Sequence, residues 1–213
     1  MSFKFPKIYP ILDSAVIPAD DRAAFLRQLG KSLADSGVTL LEYRNKKGSD
    51  AEILADAAML REVMPEGKIK LILDDRADLV EAAKFDGVHV DAGDLPAAEA
   101  RRLVGPDRIV GTFGGAEDLL PGILDAPADY LAIGPVFETR TKQTDKLPIG
   151  VEGVRRLRQQ AGPRPVLSAA AGITLDTAQS ILDAGASMVA VSEALFRTNN
   201  PGAEFRRWIE RLG

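Results

Sequence analysis

Short apolar runs rich in β-branched residues alternate with longer amphipathic segments along the whole chain. Runs of this kind predict buried strands, at residues 7–13, 39–45, 70–75, 87–91, 109–114, 130–136, 165–171 and 188–195. Apolar positions recur at helical spacing between them, over 21–37, 49–64, 77–85, 95–105, 151–162, 174–185 and 201–213. Segment 117–125 has a weaker helical pattern, because Pro121 and Gly122 interrupt it.

Strands that are separated by helices imply right-handed crossovers and a parallel sheet. Eight such units in steps of about 25 residues match a (β/α)8 TIM barrel, the α/β class, in number and length. We therefore expect a single TIM-barrel domain over residues 1–213. A doubly wound open sheet is the alternative, but it favours a glycine-rich first turn, and the first turn here reads DSAVIPAD.

Composition narrows the chemistry more than it narrows the fold. The 213 residues include no cysteine and one histidine, His89, which excludes disulfides, thiolate zinc sites and multi-histidine metal sites. The net charge of −4 argues against nucleic-acid or membrane binding through overall charge. No run of about 18 apolar residues occurs, so the sequence favours a soluble, cytoplasmic protein. A homo-oligomer is compatible with it.

Charged residues follow the predicted strands, at the rim where TIM barrels carry their chemistry. Arg44 and Lys46 alternate on one strand and so share a face, and Lys142 comes from a separate loop; three such cations suit diphosphate. Asp75 and Asp94 follow neighbouring strands and could coordinate one Mg²⁺ through oxygen. The alternatives are solvated rim charges for the cations, and helix capping or pairing with Arg76 for the acids.

Two later segments favour a monophosphate site. In AAAGIT, Gly172 allows a backbone N–H to approach a phosphate at the start of the next helix, and Ser192 in AVSEAL adds a hydroxyl. Phosphate sites after the last two strands recur in this fold. His89, in DGVHV, is interpreted as a hydrogen-bonded core histidine in preference to a catalytic base.

The order of motifs resembles that of the thiamine-phosphate synthases over nearly the full length. EYRNK resembles the family's QxRxK, LDDR its ND, and DGVHVDAGDLP its DGVHLGQEDLP. GPVFETRTK is similar to GPVFPTxTK, AGI to GGI, and VSEA to the family's ISA-type segment.

The resemblance implies a transferase of thiamine biosynthesis. It would condense a hydroxymethylpyrimidine diphosphate with thiazole phosphate by a dissociative substitution. The resemblance places Arg44, Lys46 and Lys142 at the diphosphate, as the catalytic cations, and Asp75 and Asp94 at Mg²⁺. The expected substrate-binding residues are Glu42, Arg44, Lys46, Asp74, Phe113, Thr139, Arg140, Thr141, Lys142, Gly172, Val191 and Ser192.

Several positions depart from the family pattern. Glu42 stands for glutamine, Asp74 for asparagine, Ala92 and Gly93 for QE, and Phe113 falls about where a serine meets the pyrimidine. These changes keep two alternatives open: a thiazole tautomerase-like isomerase, and a non-catalytic phosphate-ligand-binding homologue. The tautomerase pattern has a histidine after the fifth strand, where this chain has TFGGA.

Overall fold

Eight parallel strands close into a barrel in the order of the sequence, which confirms the predicted TIM-barrel architecture. The computed structural model describes residues 3–91, 93, 95–139 and 146–213. The strands are β1 (Ile8–Asp13), β2 (Leu40–Arg44), β3 (Lys70–Asp74), β4 (Gly87–Val90), β5 (Ile109–Gly115), β6 (Tyr130–Ile133), β7 (Leu167–Ala170) and β8 (Met188–Val191). Pairing of β1 with β8 excludes the open doubly wound sheet.

Helices cover the outside of the barrel. They are α1 (Arg22–Asp35), α2 (Asp50–Val63), α3 (Ala97–Val104), α4 (Gly150–Ala161), α5 (Leu175–Asp183), α6 (Glu193–Phe196) and α7 (Pro201–Leu212). Ser49 caps α2 by accepting from the N–H of Glu52, and Asn200 caps α7 by accepting from Ala203. No helix among the described residues is both long and apolar enough to cross a membrane.

Strand alternation divides the apolar side chains into two layers. On β2, Leu41 and Tyr43 point outward into the core beneath the helices, where Trp208 of α7 is fully buried. Leu40 points inward, to a small cluster that includes Tyr9 and Tyr130 and that packs against Phe3 and Phe5. The interior below the carboxyl-terminal ends is therefore closed by aromatic rings.

Two local predictions are wrong. Segment 77–85 has only a 3-10 turn, Ala77–Leu79. The chain from β3 to β4 is short there, with Phe85 buried and Lys84 in a left-handed conformation at φ 56°, so no α-helix forms. Segment 117–125 likewise contains only a 3-10 turn, Ile123–Asp125.

The predicted strand 188–195 also stops early. The carbonyl of Ser192 accepts from the N–H groups of Leu195 and Phe196 at 3.0 and 2.9 Å, which starts α6 instead of extending β8. The carboxyl end of β8 is thus turned sharply at Ser192, on the rim of the barrel.

Candidate active site

A cavity of about 770 Å³ opens at the carboxyl-terminal ends of the strands, which is within the usual size range of small-molecule sites. Eight of the sequence-predicted residues line it: Glu42, Arg44, Asp74, Phe113, Thr139, Gly172, Val191 and Ser192. Lys46 and Asp75 lie next to it, paired with residues of its wall. The predictions for Asp94, Arg140, Thr141 and Lys142 fall outside the described residues.

Three carboxylates meet where β3 and β4 end. Asp74, Asp75 and Asp91 each offer an oxygen, and these oxygens lie within 4.8 Å of one another. Lys46 Nζ is paired with Asp75, lies 3.2 Å from Asp74 Oδ2, and lies 3.9 Å from Asp91 Oδ2. Asp74 Oδ2 and Asp75 Oδ1 are buried and accept no hydrogen bond from the described residues. Oxygen donors in this arrangement suit a hard divalent cation.

The sequence left open an ion pair between Asp75 and Arg76, but Arg76 pairs with other carboxylates. Arg76 donates to Asp50 at 2.6 Å and to Asp78 at 2.6 and 2.9 Å, on the exposed side of the loop. Asp75 itself has φ 61° and is directed to Lys46. Because Arg76 pairs at the surface, the Asp75 carboxylate faces the cluster of Lys46, Asp74 and Asp91.

Arg44 connects β2 to its two neighbouring strands. Its guanidinium is paired with Asp13 at the end of β1, and its Nε lies 3.4 Å from Asp74 Oδ2. Behind it, Asn45 accepts from Ser14 Oγ at 3.0 Å and donates to Glu52 at 2.8 Å. These bonds fix the loop between Arg44 and Lys46, and both cations reach the Asp74 carboxylate at the end of β3.

A chain of buried polar side chains crosses the barrel below the carboxylates. Tyr9 donates to Glu42 Oε2 at 2.6 Å, the hydroxyls of Tyr9 and Tyr130 are 2.8 Å apart, and His89 Nδ1 lies 3.1 Å from Tyr130 Oη. Because each hydroxyl has one hydrogen to donate, an ionised Glu42 orders the chain as His89 to Tyr130 to Tyr9 to Glu42. His89 Nε2 lies 3.8 Å from Asp91 Oδ1. The predicted hydrogen-bonded histidine is confirmed, and it also lines the cavity.

Burial shifts the protonation of this chain. It raises the pKa of the Glu42 carboxyl to about 7, and the negative charge of Asp74 adds to the rise. The charge of His89 and the hydrogen bond from Tyr9 act in the opposite direction. Burial also raises the pKa of Asp74. For His89, burial lowers the pKa, but interactions with Asp91 and Glu42 outweigh burial, so its pKa is raised.

The opposite side of the cavity is lined by small side chains. Ala132 on β6, Ser168 and Ala170 on β7, and Ala190 on β8 all line it. Gly111 on β5 makes room for the ring of Tyr130 at the base of the cavity, because a Cβ there would lie 2.0 Å from Cζ of Tyr130. The cavity exists because these strands carry small inward-facing residues where other TIM-barrel interiors are filled by bulky ones.

The loops after β6, β7 and β8 form the upper edge of this side. Gly172, with φ 66°, is held so close to the β6 loop that a Cβ would lie 2.4 Å from the Glu138 carbonyl oxygen. Thr139, Thr174 and Ser192 line the same edge. Hydroxyls and a closely packed backbone are therefore brought together as the sequence predicts, although Glu138 and Glu193 also line this region.

Sequence reasoning did not assign a role to several residues that line the cavity: Tyr9, Asp91, Tyr130, Lys146 and Ser168. Alternation along the strands could have identified some of them. Tyr9 shares the inward face of β1 with Ile11, and Ser168 shares that of β7 with Ala170. These positions lie inside the strands, away from the charged motifs at the strand ends.

Comparison with known proteins agrees with this geometry. A family model described as thiamine monophosphate synthase matches residues 8–195. The chain is 42% identical to a thiamine-phosphate synthase from Koribacter versatilis over 188 residues, 88% of each chain. It is 38% identical to one from Agrobacterium fabrum over 178 residues, 82% of this chain and 81% of the relative.

A solved structure supports the same assignment. The thiamine phosphate pyrophosphorylase from Pyrococcus furiosus superposes with a TM-score of 0.76 and 25% identity, over 97% of this chain and 95% of that one. The family match covers all eight strands of the barrel and the residues that form the cavity. The chain belongs to the thiamine monophosphate synthase family.

Proposed function

We propose that this protein condenses 4-amino-2-methyl-5-hydroxymethylpyrimidine diphosphate with thiazole phosphate, releasing diphosphate and forming thiamine phosphate. Family membership and relatives named thiamine-phosphate synthase support the reaction. The observation that carries it is the meeting of Arg44, Lys46 and three carboxylates beside a cavity with small side chains opposite. The charged side of the cavity would stabilise the leaving diphosphate. The space opposite would hold the two heterocycles.

The charges of this cluster fit a divalent metal. When ionised, Asp13, Asp74, Asp75 and Asp91 supply four negative charges against the two positive charges of Arg44 and Lys46. A divalent cation would offset this excess of negative charge, and the buried Asp75 Oδ1 accepts no hydrogen bond from the described residues.

We infer that Asp75 and Asp74 would hold the ion, with Asp91 beside them. Asp94 joins this set by resemblance to the family. Bound Mg²⁺ would supply charge neutralisation on the diphosphate oxygens.

In the substitution, the carbon–oxygen bond between the pyrimidine methylene and the diphosphate breaks, and its electron pair leaves with the diphosphate. Arg44 and Lys46 stabilise the negative charge that grows on the departing group, an effect larger in the transition state than in the ground state. The lone pair of the thiazole nitrogen then forms the carbon–nitrogen bond. No step oxidises or reduces either substrate, and none needs a dedicated base.

The thiazole phosphate is assigned to the edge formed by the last three loops. Gly172 and Ser192 there can donate a backbone N–H and a hydroxyl to phosphate oxygens, with the amino terminus of α5 close by. By resemblance, Arg140 and Thr141 add to this site and Lys142 binds the diphosphate. This placement holds the thiazole nitrogen near the pyrimidine methylene, which lowers the entropic part of the barrier.

The test is turnover by the purified protein with both substrates, with and without Mg²⁺. We expect thiamine phosphate and diphosphate in equal amounts, dependent on both substrates and on the metal. Isomerisation of a thiazole phosphate without diphosphate release would establish the tautomerase alternative. Tight binding of thiazole phosphate without any turnover would establish the binding-protein alternative.

A further inference from the structure

Ser168 is a buried hydroxyl that the fold itself does not use. It lies on β7 with 1% of its surface exposed, and it lines the cavity. Its Oγ has no hydrogen-bond partner among residues 3–91, 93, 95–139 and 146–213. A buried polar group without a partner costs free energy, so alanine at this position would be better for stability alone. The geometry of this unpartnered hydroxyl in the cavity wall points to a bound ligand.

The strand register relates Ser168 to Phe113, the position at which the family pattern has a hydroxyl. Phe113 on β5 pairs with Ala132 on β6, and Ala132 pairs with Ser168 on β7. These three residues therefore follow one another along a single register row of adjacent strands, with their side chains on the same face of the sheet. Phe113 stands about where the family pattern has a serine that meets the pyrimidine, so Ser168 offers the same chemical group two strands further round.

We propose that the Ser168 hydroxyl hydrogen-bonds to the aminopyrimidine ring and acts as a specificity-determining contact for that substrate. The inference rests on the proposed function and names a residue that the family pattern does not assign. An aminopyrimidine has ring nitrogens that accept and an exocyclic amino group that donates, and a hydroxyl can serve either. The thiazole nitrogen is the nucleophile, so its lone pair must stay free of such a bond.

The surroundings of Ser168 fit a flat ring. Ala132 on the neighbouring strand, and Ala170 and Ala190 one pair of residues further along β7 and β8, are small and apolar. Across the cavity lie the carboxyl of Glu42 and the imidazole of His89. A ring inserted between them would have apolar faces and polar groups at its edges, with its methylene towards Arg44 and the carboxylates.

The experiment compares Ser168→Ala with the wild type. We measure the Michaelis constants of both substrates, the inhibition constant of the unreactive pyrimidine alcohol, and the midpoint of thermal unfolding. Loss of one neutral hydrogen bond should raise the Michaelis constant of the pyrimidine diphosphate and the inhibition constant of the alcohol about five- to tenfold. The Michaelis constant of thiazole phosphate should not change, and the unfolding midpoint should stay the same or rise.

Ser187→Ala is the matched control. Ser187 Oγ accepts from the N–H of Leu167 and from Arg158, both at 3.1 Å, and it does not line the cavity. This substitution should lower the unfolding midpoint and leave both Michaelis constants unchanged. A purely structural role for Ser168 would instead make the two variants behave alike.

The outcomes separate the inference from the function on which it rests. If the wild type forms thiamine phosphate and Ser168→Ala leaves the pyrimidine constants unchanged, the Ser168 contact is refuted and the synthase function stands. The Ser168 contact is also refuted, and the synthase function also stands, if Ser168→Ala raises the Michaelis constant of thiazole phosphate instead. If the wild type neither turns over nor binds the pyrimidine compounds, both proposals fail.

Discussion

The two sides of the cavity are built from opposite kinds of side chain. Strands β2 to β4 contribute Glu42, Arg44, Asp74 and His89, which are ionisable and largely buried. Strands β6 to β8 contribute Ala132, Ala170, Ala190 and Ser168, which are small and uncharged, above the buried ring of Tyr130. Both sets occupy inward-facing positions of the same barrel. The first side can therefore stabilise charge, and the second mainly determines the shape of the cavity and offers uncharged hydroxyls, among them that of Ser168.

This asymmetry assigns the two parts of the proposed reaction to two parts of the sequence. Charge that develops on a leaving group must be met by groups already oriented towards it. Orientation of a planar heterocycle needs a cavity of fitting shape with few polar contacts. Substitutions on the charged side should therefore act on the rate of the chemical step, and those on the small side on the binding of rings.

Asp75→Asn should have the largest effect, because it removes one negative charge from the carboxylates that would hold the metal while keeping the size of the side chain. We expect kcat to fall about 10²- to 10³-fold, in line with removal of one preorganised charge-stabilising group, and Mn²⁺ binding to weaken. Steady-state kinetics and titration with Mn²⁺ measure both.

Asp78→Asn is the control for that substitution. Asp78 lies on the same loop, but its carboxylate is exposed and paired with Arg76. Its replacement should leave kcat within about twofold, because exposed ion pairs contribute little. Equal losses in the two variants would mean that the effect comes from the loop and not from a metal site.

Ala132→Leu tests the side of the cavity that is lined by small residues. The added methyl groups would project into the cavity beside Ser168. We expect kcat/KM for the pyrimidine diphosphate to fall about 10- to 100-fold, mostly through KM, as for a substrate excluded from a filled pocket. Mn²⁺ binding should be unchanged, and its loss would contradict the division between the two sides.

Glu42→Gln should produce a smaller, pH-dependent effect. Because burial raises the pKa of Glu42 to about 7, its carboxyl is neutral and able to donate below that pH, as the family's glutamine is at every pH. The KM of the wild type for the pyrimidine diphosphate should rise about five- to tenfold between pH 6 and pH 8. In Glu42→Gln this dependence should be absent, and a persisting rise would assign it to another group.

The same shift in pKa affects stability with a defined sign. The folded state holds the Glu42 proton more tightly than the unfolded state, whose pKa is near the ordinary value of 4.5. Its contribution is therefore fully present below pH 4.5 and is lost as the pH rises through about 7. Glu42→Gln should accordingly have the higher unfolding midpoint at pH 8, and this advantage should shrink at pH 5.

The repeating pattern of strands and helices was enough to predict the barrel, because strand phase and helical spacing are local properties of the sequence. Arg44, Asp74, Gly172 and Ser192 could be predicted because each lies at or just after the end of a strand, and strand ends meet at one rim. The early end of β8 was missed, because a backbone hydrogen bond to Ser192 decides it and not side-chain hydrophobicity.

Contacts across the barrel could not be predicted in the same way. The link between Tyr9 and Tyr130 joins residues 121 positions apart and depends on the space above Gly111. The approach of Asp91 to Asp74 and Asp75 depends on the exact ends of two strands. Such contacts follow from register and closure, which are properties of the assembled sheet and not of any one segment.

A crystal structure with Mg²⁺ and the pyrimidine diphosphate would test the central claim most directly. We expect the diphosphate beside Arg44 and Lys46, the metal on Asp75 and its neighbouring carboxylates, and the ring against Ala132 within hydrogen-bonding distance of Ser168. A diphosphate bound at Gly172 and Ser192, with the ring turned towards β2 and β3, would contradict it.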